Sequence, residues 1–171
     1  MTVWTIGHST RTIDEFASLL DQHAIEVVAD VRRFPGSRRL PQFQSAALSA
    51  ALETRGIDYV WIEALGGRRR NDPSSINTGW RHPAFRAYAD HVFTEEFANG
   101  LFELLTIAEG ARTAIMCAEV LWWRCHRRLI ADVLTSLGIR VEHIMGDGKT
   151  ELHKIAPPAR LVGGAISYAS E

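Results

Sequence analysis

Short apolar runs alternate along this chain with longer segments whose apolar residues recur every three or four positions. Val3 to Ile6 is a β-prone run that ends in Gly7-His8-Ser9. Behind it, Ile13, Phe16, Leu19 and Leu20 keep helical spacing, and Thr12 with Glu15 predicts a capping box at the start of that helix. EVVADV (26–31), rich in β-branched residues, predicts a second strand. After the loop RRFPGSRRLP, Leu48, Ala51 and Leu52 share one face of a helix that stops at Gly56. Tyr59 to Ile62 predicts a third strand, followed by Leu65-Gly66-Gly67 and an arginine triplet. Residues 71–83 carry the prolines, asparagines and glycine of an ordered loop. From Ala84 to Glu109 the period is helical, with a break expected near Thr94 or Asn99. TAIMCA (113–118) predicts a buried strand, and Leu129, Ile130, Val133, Leu134 and Leu137 a helix closed by Gly138. Val141 to Met145 is the last clear strand.

The joints HAIEV, RGIDY and LGIRV each end a helix, place an isoleucine and enter a strand. Strands alternating with helices of this length imply βαβ units and right-handed crossovers. The expected fold is therefore a three-layer α/β/α, Rossmann-like domain with a mostly parallel sheet of about five strands. It is expected to occupy residues 1–145, and residues 146–171 form a C-terminal tail without a clear period, its structure left open.

Composition narrows the class. The chain has 171 residues, 46% of them hydrophobic and 23% charged, the balance of one folded domain with a real core. No apolar run approaches the roughly 18 residues of a membrane span. Two cysteines, five tryptophans and a start without a basic or long apolar segment lead us to expect a cytoplasmic protein. A net charge of −1 argues against a protein that coats nucleic acid through general basicity.

That average hides three arginine clusters: Arg32, Arg33, Arg38 and Arg39; Arg68, Arg69 and Arg70; Arg124, Arg127 and Arg128. In an open parallel sheet, ligands bind beyond the carboxyl ends of the strands, and each cluster follows a predicted strand. The first strand delivers His8 and Ser9 to that rim, the second Asp30 and Arg32, the third Glu63, Gly66, Gly67 and Arg68. The fourth delivers Cys117 and Glu119, with Cys125, His126 and Arg127 opening the next helix. Converging guanidinium groups match carboxylate or phosphate, so a small anionic ligand is expected. Gly66-Gly67 and Gly36-Ser37 would let backbone N–H groups face an anion. Neither the P-loop nor the dinucleotide-binding glycine pattern is present. Arg–carboxylate pairs inside the protein are the plain alternative.

Cys117, near the end of a buried strand, fits a small packing residue. Cys125 falls at a helix N-terminus beside Arg124, His126 and Arg127, surroundings that lower a thiol pKa from about 8.5; a reactive and a structural thiol both remain open. Cys117, Cys125 and His126, joined by His8 or Glu119, are an alternative metal set, although their spacing matches no common zinc motif. His8 is either an acid–base residue or a histidine satisfied by a carbonyl at its strand end. Trp122 and Trp123 are candidates for the site wall, a lid or the core.

With TIGHST (5–10), ADVRRFPGSRRLPQF (29–43), GIDY (56–59), LGGRRR (65–70) and CAEVLWWRCHRRLIAD (117–132) in view, the chain resembles the DUF488 family of uncharacterised bacterial and archaeal proteins. These stretches span roughly residues 3–145 and are the strand-end loops already singled out. The resemblance places the family's two cysteines at Cys117 and Cys125, its acidic residue at Glu119 and its His-Arg pair at His126 and Arg127. It implies no substrate and no cofactor.

The resulting expectation is an enzyme acting on an anionic, phosphorylated or nucleotide-like substrate. Arg32, Arg68 and Arg127 would hold the anion, with Ser9, Gly66, Gly67 and His126 around it. Cys125 would be nucleophile or redox thiol, and His8, Asp30 or Glu119 would handle protons. A non-catalytic nucleotide- or nucleic-acid-binding module and a metal-dependent enzyme are the rival readings. Cofactor and oligomeric state have no signature in the sequence.

Overall fold

The computed structural model describes residues 1–171. In chain order its regular elements are β1 (Thr2–Gly7), α1 (Ile13–Gln22), β2 (Val27–Asp30), α2 (Ser45–Glu53), β3 (Asp58–Trp61), α3 (Pro83–Val92), α4 (Glu95–Gly110), β4 (Thr113–Cys117), α5 (Arg127–Ser136), β5 (Arg140–Ile144), β6 (Thr150–Leu152), β7 (Arg160–Val162) and β8 (Ala165–Ser167). The main sheet has six strands in the order β3-β2-β4-β1-β5-β6, and β7 pairs with β8 in a separate hairpin. The first five strands are parallel, and β6 runs antiparallel on β5. The fold is thus the expected α/β/α layering, with a sixth strand supplied by residues beyond the last periodic segment.

Alternation along the strands builds two cores. Trp4 and Ile6 of β1, Val28 of β2, Ala114 and Met116 of β4 and Ile144 of β5 point to one face, where Phe16, Leu19 and Leu20 of α1 and Leu48 and Leu52 of α2 cover them. Val3, Ala29, Ile115, Cys117 and Val141 point to the other, under Tyr88, Phe97, Leu104, Leu129, Ile130 and Leu134 of α3, α4 and α5. Buried at about 25 cal/mol per Å² of apolar surface, these faces are the main stabilising term.

Local chemistry sets the element ends. Thr12 accepts from the Glu15 N–H at 3.1 Å while Glu15 accepts from the Thr12 N–H at 3.0 Å, closing the capping box. Gly138 takes a φ of +79°, which an L side chain rarely adopts, and turns the chain from α5 into β5. The long helical stretch breaks at Thr94, whose hydroxyl caps α4 by accepting from Phe97 N–H.

Residues after Met145 are tied into the second core through Ala159, Ile166 and Tyr168, all buried. Their lack of period has a physical reason. Three-residue strands and turns meet the core at isolated points, so no repeat of 2 or 3.6 has room to show.

Candidate thiol and arginine site

Strands β2 and β3 are laid down to one side of β1 and β5 to the other, and this reversal of strand order opens a crevice at the carboxyl ends of the parallel strands. The two central strands stay paired past their ends, His8 N–H donating to Cys117 O at 2.9 Å and Ser9 N–H to Ala118 O at 3.0 Å. A cavity of about 800 Å³ opens there. His8, Arg32, Gly67, Arg68, Cys117, Glu119, Cys125 and His126 line it, together with Arg33, Arg124, Phe34, His82, Phe85, Tyr88 and Trp123. Ser9, Asp30, Gly66 and Arg127 are not among the lining residues.

The two sulfur atoms lie 2.7 Å apart at the cavity floor, both as free thiols. Cys125 Sγ also faces His126 Nδ1 at 3.5 Å and accepts the Arg127 N–H at 3.5 Å, where the first backbone donors of α5 point. His126 donates its Nε2–H to Val31 O at 2.7 Å, which leaves Nδ1 as the acceptor toward the thiol. Gly67 permits this ring position, since a Cβ there would come within 3.0 Å of Nδ1. Burial opposes ionisation of Cys125, yet the Cys117 S–H, His126 and Arg127 outweigh it and hold the Cys125 thiol well below its ordinary range. Burial, then the same contact with Cys125, pushes Cys117 well above it. The pair therefore releases one proton readily and keeps the second.

Arg32 and Arg127 are both consumed inside the protein. Arg32 grips the fully buried Asp30, with Nη2 at 2.6 Å from Oδ2 and Nε at 2.9 Å from Oδ1, and donates Nη1 to Phe43 O at 2.7 Å. Tyr59 donates its hydroxyl to the same carboxylate at 2.6 Å. Asp30 is saturated by these donors and sits away from the cavity, so its carboxylate shapes the β2–α2 loop. Arg127, 1% exposed, donates to the carbonyl of Glu119 and to Thr5 Oγ1, behind the thiols rather than in the cavity. Burial opposes its charge, and the neighbouring sulfurs of Cys117 and Cys125 more than offset that penalty. Gly66 brings its loop against the Arg33 backbone, where a Cβ would sit 2.7 Å from Arg33 Cα.

Besides Arg32, which Asp30 holds, the cations that line the cavity are Arg33, Arg68 and Arg124. Arg33 makes only long ion pairs, 3.8 Å to Glu63 and 3.6 Å to Glu96. Arg68, in the left-handed region at φ +56°, and Arg124 are exposed and form no ion pair. Phe34 and Trp123 stand beside them, 64% and 41% exposed. Glu119 is exposed on the rim, its carboxylate accepting the Leu121 N–H. His8 donates Nδ1–H to Ser9 O at 2.8 Å and stacks on Phe43; burial, helped by Arg32, pushes its pKa down to about 4, so at neutral pH it carries no charge.

No group of three or more His, Cys, Asp or Glu side chains is arranged to hold a metal ion.

A second polar cluster runs inward from Arg127. Its Nη1 donates to Thr5 Oγ1 at 3.2 Å, and the Thr5 hydroxyl donates to His143 Nδ1 at 2.7 Å. His143 Nε2–H then donates to His153 Nδ1 at 2.9 Å, and His153 Nε2–H to Asp132 Oδ1 at 2.8 Å. Tyr168 donates to the other Asp132 oxygen at 3.2 Å. Arginine only donates and carboxylate only accepts, so every hydrogen in this buried chain points toward Asp132. Trp122 lies flat on His143, ring centroids 4.1 Å apart, and so covers this chain while Trp123 walls the cavity. Sequence reasoning missed the cluster. His143 follows Glu142 in a strand with no clean alternation, and His153 and Tyr168 lie where no period exists.

Fold and site together define an α/β domain with a buried thiol pair on the floor of an arginine-lined, strand-end cavity. The family model described as domain of unknown function DUF488 matches residues 12–134, from α1 into α5, and both cysteines fall within it. The chain belongs to the DUF488 family. No curated protein and no solved structure matches it. No helix is long and apolar enough to cross a membrane.

Proposed function

We propose that this protein is an enzyme whose Cys125 thiolate attacks a small anionic substrate held over the cavity by Arg33, Arg68 and Arg124. The observation that carries this reading is the setting of Cys125 Sγ, with a thiol donor at 2.7 Å, an imidazole acceptor at 3.5 Å and a helix N–H at 3.5 Å, open to a cavity with free guanidinium groups. His126 Nδ1 takes the thiol proton, Arg127 steadies the thiolate from behind, and Glu119 on the rim is placed to return a proton to the product. His8 is a neutral wall of the site, and Arg32 with Asp30 fixes the loop that presents Arg33. A phosphorylated or nucleotide-like substrate suits the cations and the exposed Phe34 and Trp123, on which a base would stack.

The test is the alkylation rate of each cysteine against pH, followed by mass spectrometry, with and without millimolar inorganic pyrophosphate. Cys125 is expected to react with an apparent pKa well below about 8.5 and to be slowed by the anion. Inert thiols throughout the pH range would overturn the reading. The exposed aromatic rings beside free arginines favour a second reading, nucleotide binding without chemistry. Its mark would be salt-sensitive binding of a nucleotide that survives Cys125→Ser.

A further inference from the structure

We propose that Cys117 is the resolving partner of Cys125, and that the site reduces small anionic disulfides by dithiol–disulfide exchange; this rests on the nucleophilic reading of Cys125. Cys117, the last residue of β4, and Cys125, just before α5, are separated by seven residues, and both line the cavity. Their sulfurs, 2.7 Å apart, need to close by well under one ångström to reach the roughly 2.05 Å of a disulfide. Both cysteines belong to the second core, at the edge where it meets the cavity, and there Cys117 faces Cys125 and the Glu119 carbonyl, 3.7 Å away.

The two thiols are unequal in the way that exchange requires. Cys125 has the helix N–H and His126 Nδ1 and ionises first, so it attacks. Cys117 has only Cys125 and a carbonyl oxygen, so it holds its proton until an electrophilic sulfur is formed beside it. In the first step the Cys125 thiolate attacks one sulfur of the substrate R–S–S–R′. The new bond joins Cys125 to the R–S half, the S–S bond breaks, and R′–S⁻ leaves and takes the proton parked on His126. In the second step Cys117 attacks Cys125 Sγ, the Cys117–Cys125 disulfide forms, the bond to R–S breaks, and R–S⁻ leaves with the Cys117 proton. Two electrons have passed from the protein dithiol to the substrate, giving R–SH and R′–SH. An external low-molecular-weight thiol returns the protein to the dithiol. Arg33, Arg68 and Arg124 select substrates whose R groups carry carboxylates or phosphates, and the cavity of about 800 Å³ admits a peptide-sized disulfide.

Glutathione disulfide is the probe, with intact mass recorded over time for the reduced full chain and for Cys117→Ser and Cys125→Ser. The wild type is expected to lose two hydrogens without retaining an adduct, peptide mapping joining Cys117 to Cys125. Cys117→Ser should accumulate one glutathione on Cys125, and Cys125→Ser should stay unmodified at the rate seen in wild type. A cystamine control, cationic where glutathione is anionic, should react at least tenfold more slowly. A stable Cys125 adduct on the wild type, with no internal disulfide, would overturn the resolving role while leaving the nucleophile intact. No adduct on Cys117→Ser and no internal disulfide in the wild type, with a Cys125 that iodoacetamide alkylates readily, would overturn the disulfide substrate alone. Resistance to both reagents would overturn this inference together with the nucleophilic reading.

Discussion

Replacing Asp132 by alanine is expected to cost about 3–5 kcal/mol of folding stability, a large share of the roughly 5–15 kcal/mol that holds a domain of this kind together. The carboxylate is fully buried and accepts from His153 at 2.8 Å and Tyr168 at 3.2 Å, the terminal acceptor for a chain that begins at the Arg127 guanidinium. Its removal leaves two buried donors, His153 Nε2–H and the Tyr168 hydroxyl, without a partner. Asp132→Asn keeps the volume and one acceptor oxygen and should cost markedly less. Urea unfolding of both variants measures the difference, and an alanine variant within 1 kcal/mol of the wild type would mean that the buried chain does not stabilise the fold. The surface pair Arg55–Asp14, 2.7 Å apart but with Asp14 84% exposed, is the contrast: solvent screens it, and Asp14→Ala should change stability by less than about 1 kcal/mol.

Stability should also fall steeply as the pH drops from 6.5 toward 5. Burial, aided by His153 and Arg127, pushes His143 down to about 2, and burial with Arg32 pushes His8 down to about 4. In the unfolded chain both titrate near 6.5. Between that value and their folded values the unfolded state binds up to two more protons than the native state, so acid favours unfolding. The contribution is whole above pH 6.5 and is lost as the pH falls, amounting to about 3–4 kcal/mol by pH 5. Most carboxylates titrate below that window, near 4, so the histidines dominate it. Urea midpoints at pH 7.5 and 5 provide the measurement, and equal midpoints would show that neither imidazole is kept neutral by the fold.

The layered architecture was legible because the central strands β1, β2 and β4 bury both faces and read as short continuous apolar runs, while each helix buries one face and leaves a period of 3.6. Cys117, Cys125, His126 and Glu119 were legible for a topological reason: any polar side chain just past a strand end in this fold reaches one rim. Which arginines would point into the cavity was not legible. Arg32 and Arg33 are neighbours in sequence, yet Asp30, two positions back on the same strand, claims the first and leaves the second facing the cavity. Arg127 is turned inward by Thr5 and the Glu119 carbonyl, partners that only the fold brings within reach. The buried His143–His153–Asp132 chain was invisible for the same reason, since its members come from β5, β6's edge and α5 and share no spacing.

The order of strands also dictates how the chain must come together. β1 is made first, but its sheet neighbours are β4 and β5, so Val3 waits for Thr113 and Val141, and the Thr5–His143 hydrogen bond spans 138 positions. Of the first three strands only β2 and β3 pair with each other. An emerging chain that has reached α4 therefore holds helices and one strand pair around an open centre, with Val3, Ile6 and Ala29 still in water. Closure of long loops must precede the contacts that reward it, which makes folding slow and leaves apolar strands exposed while it proceeds. The architecture that sets His8 beside Cys117 at the middle of the sheet is thus also what makes this a protein whose first strand finds its place only after its fifth has been made.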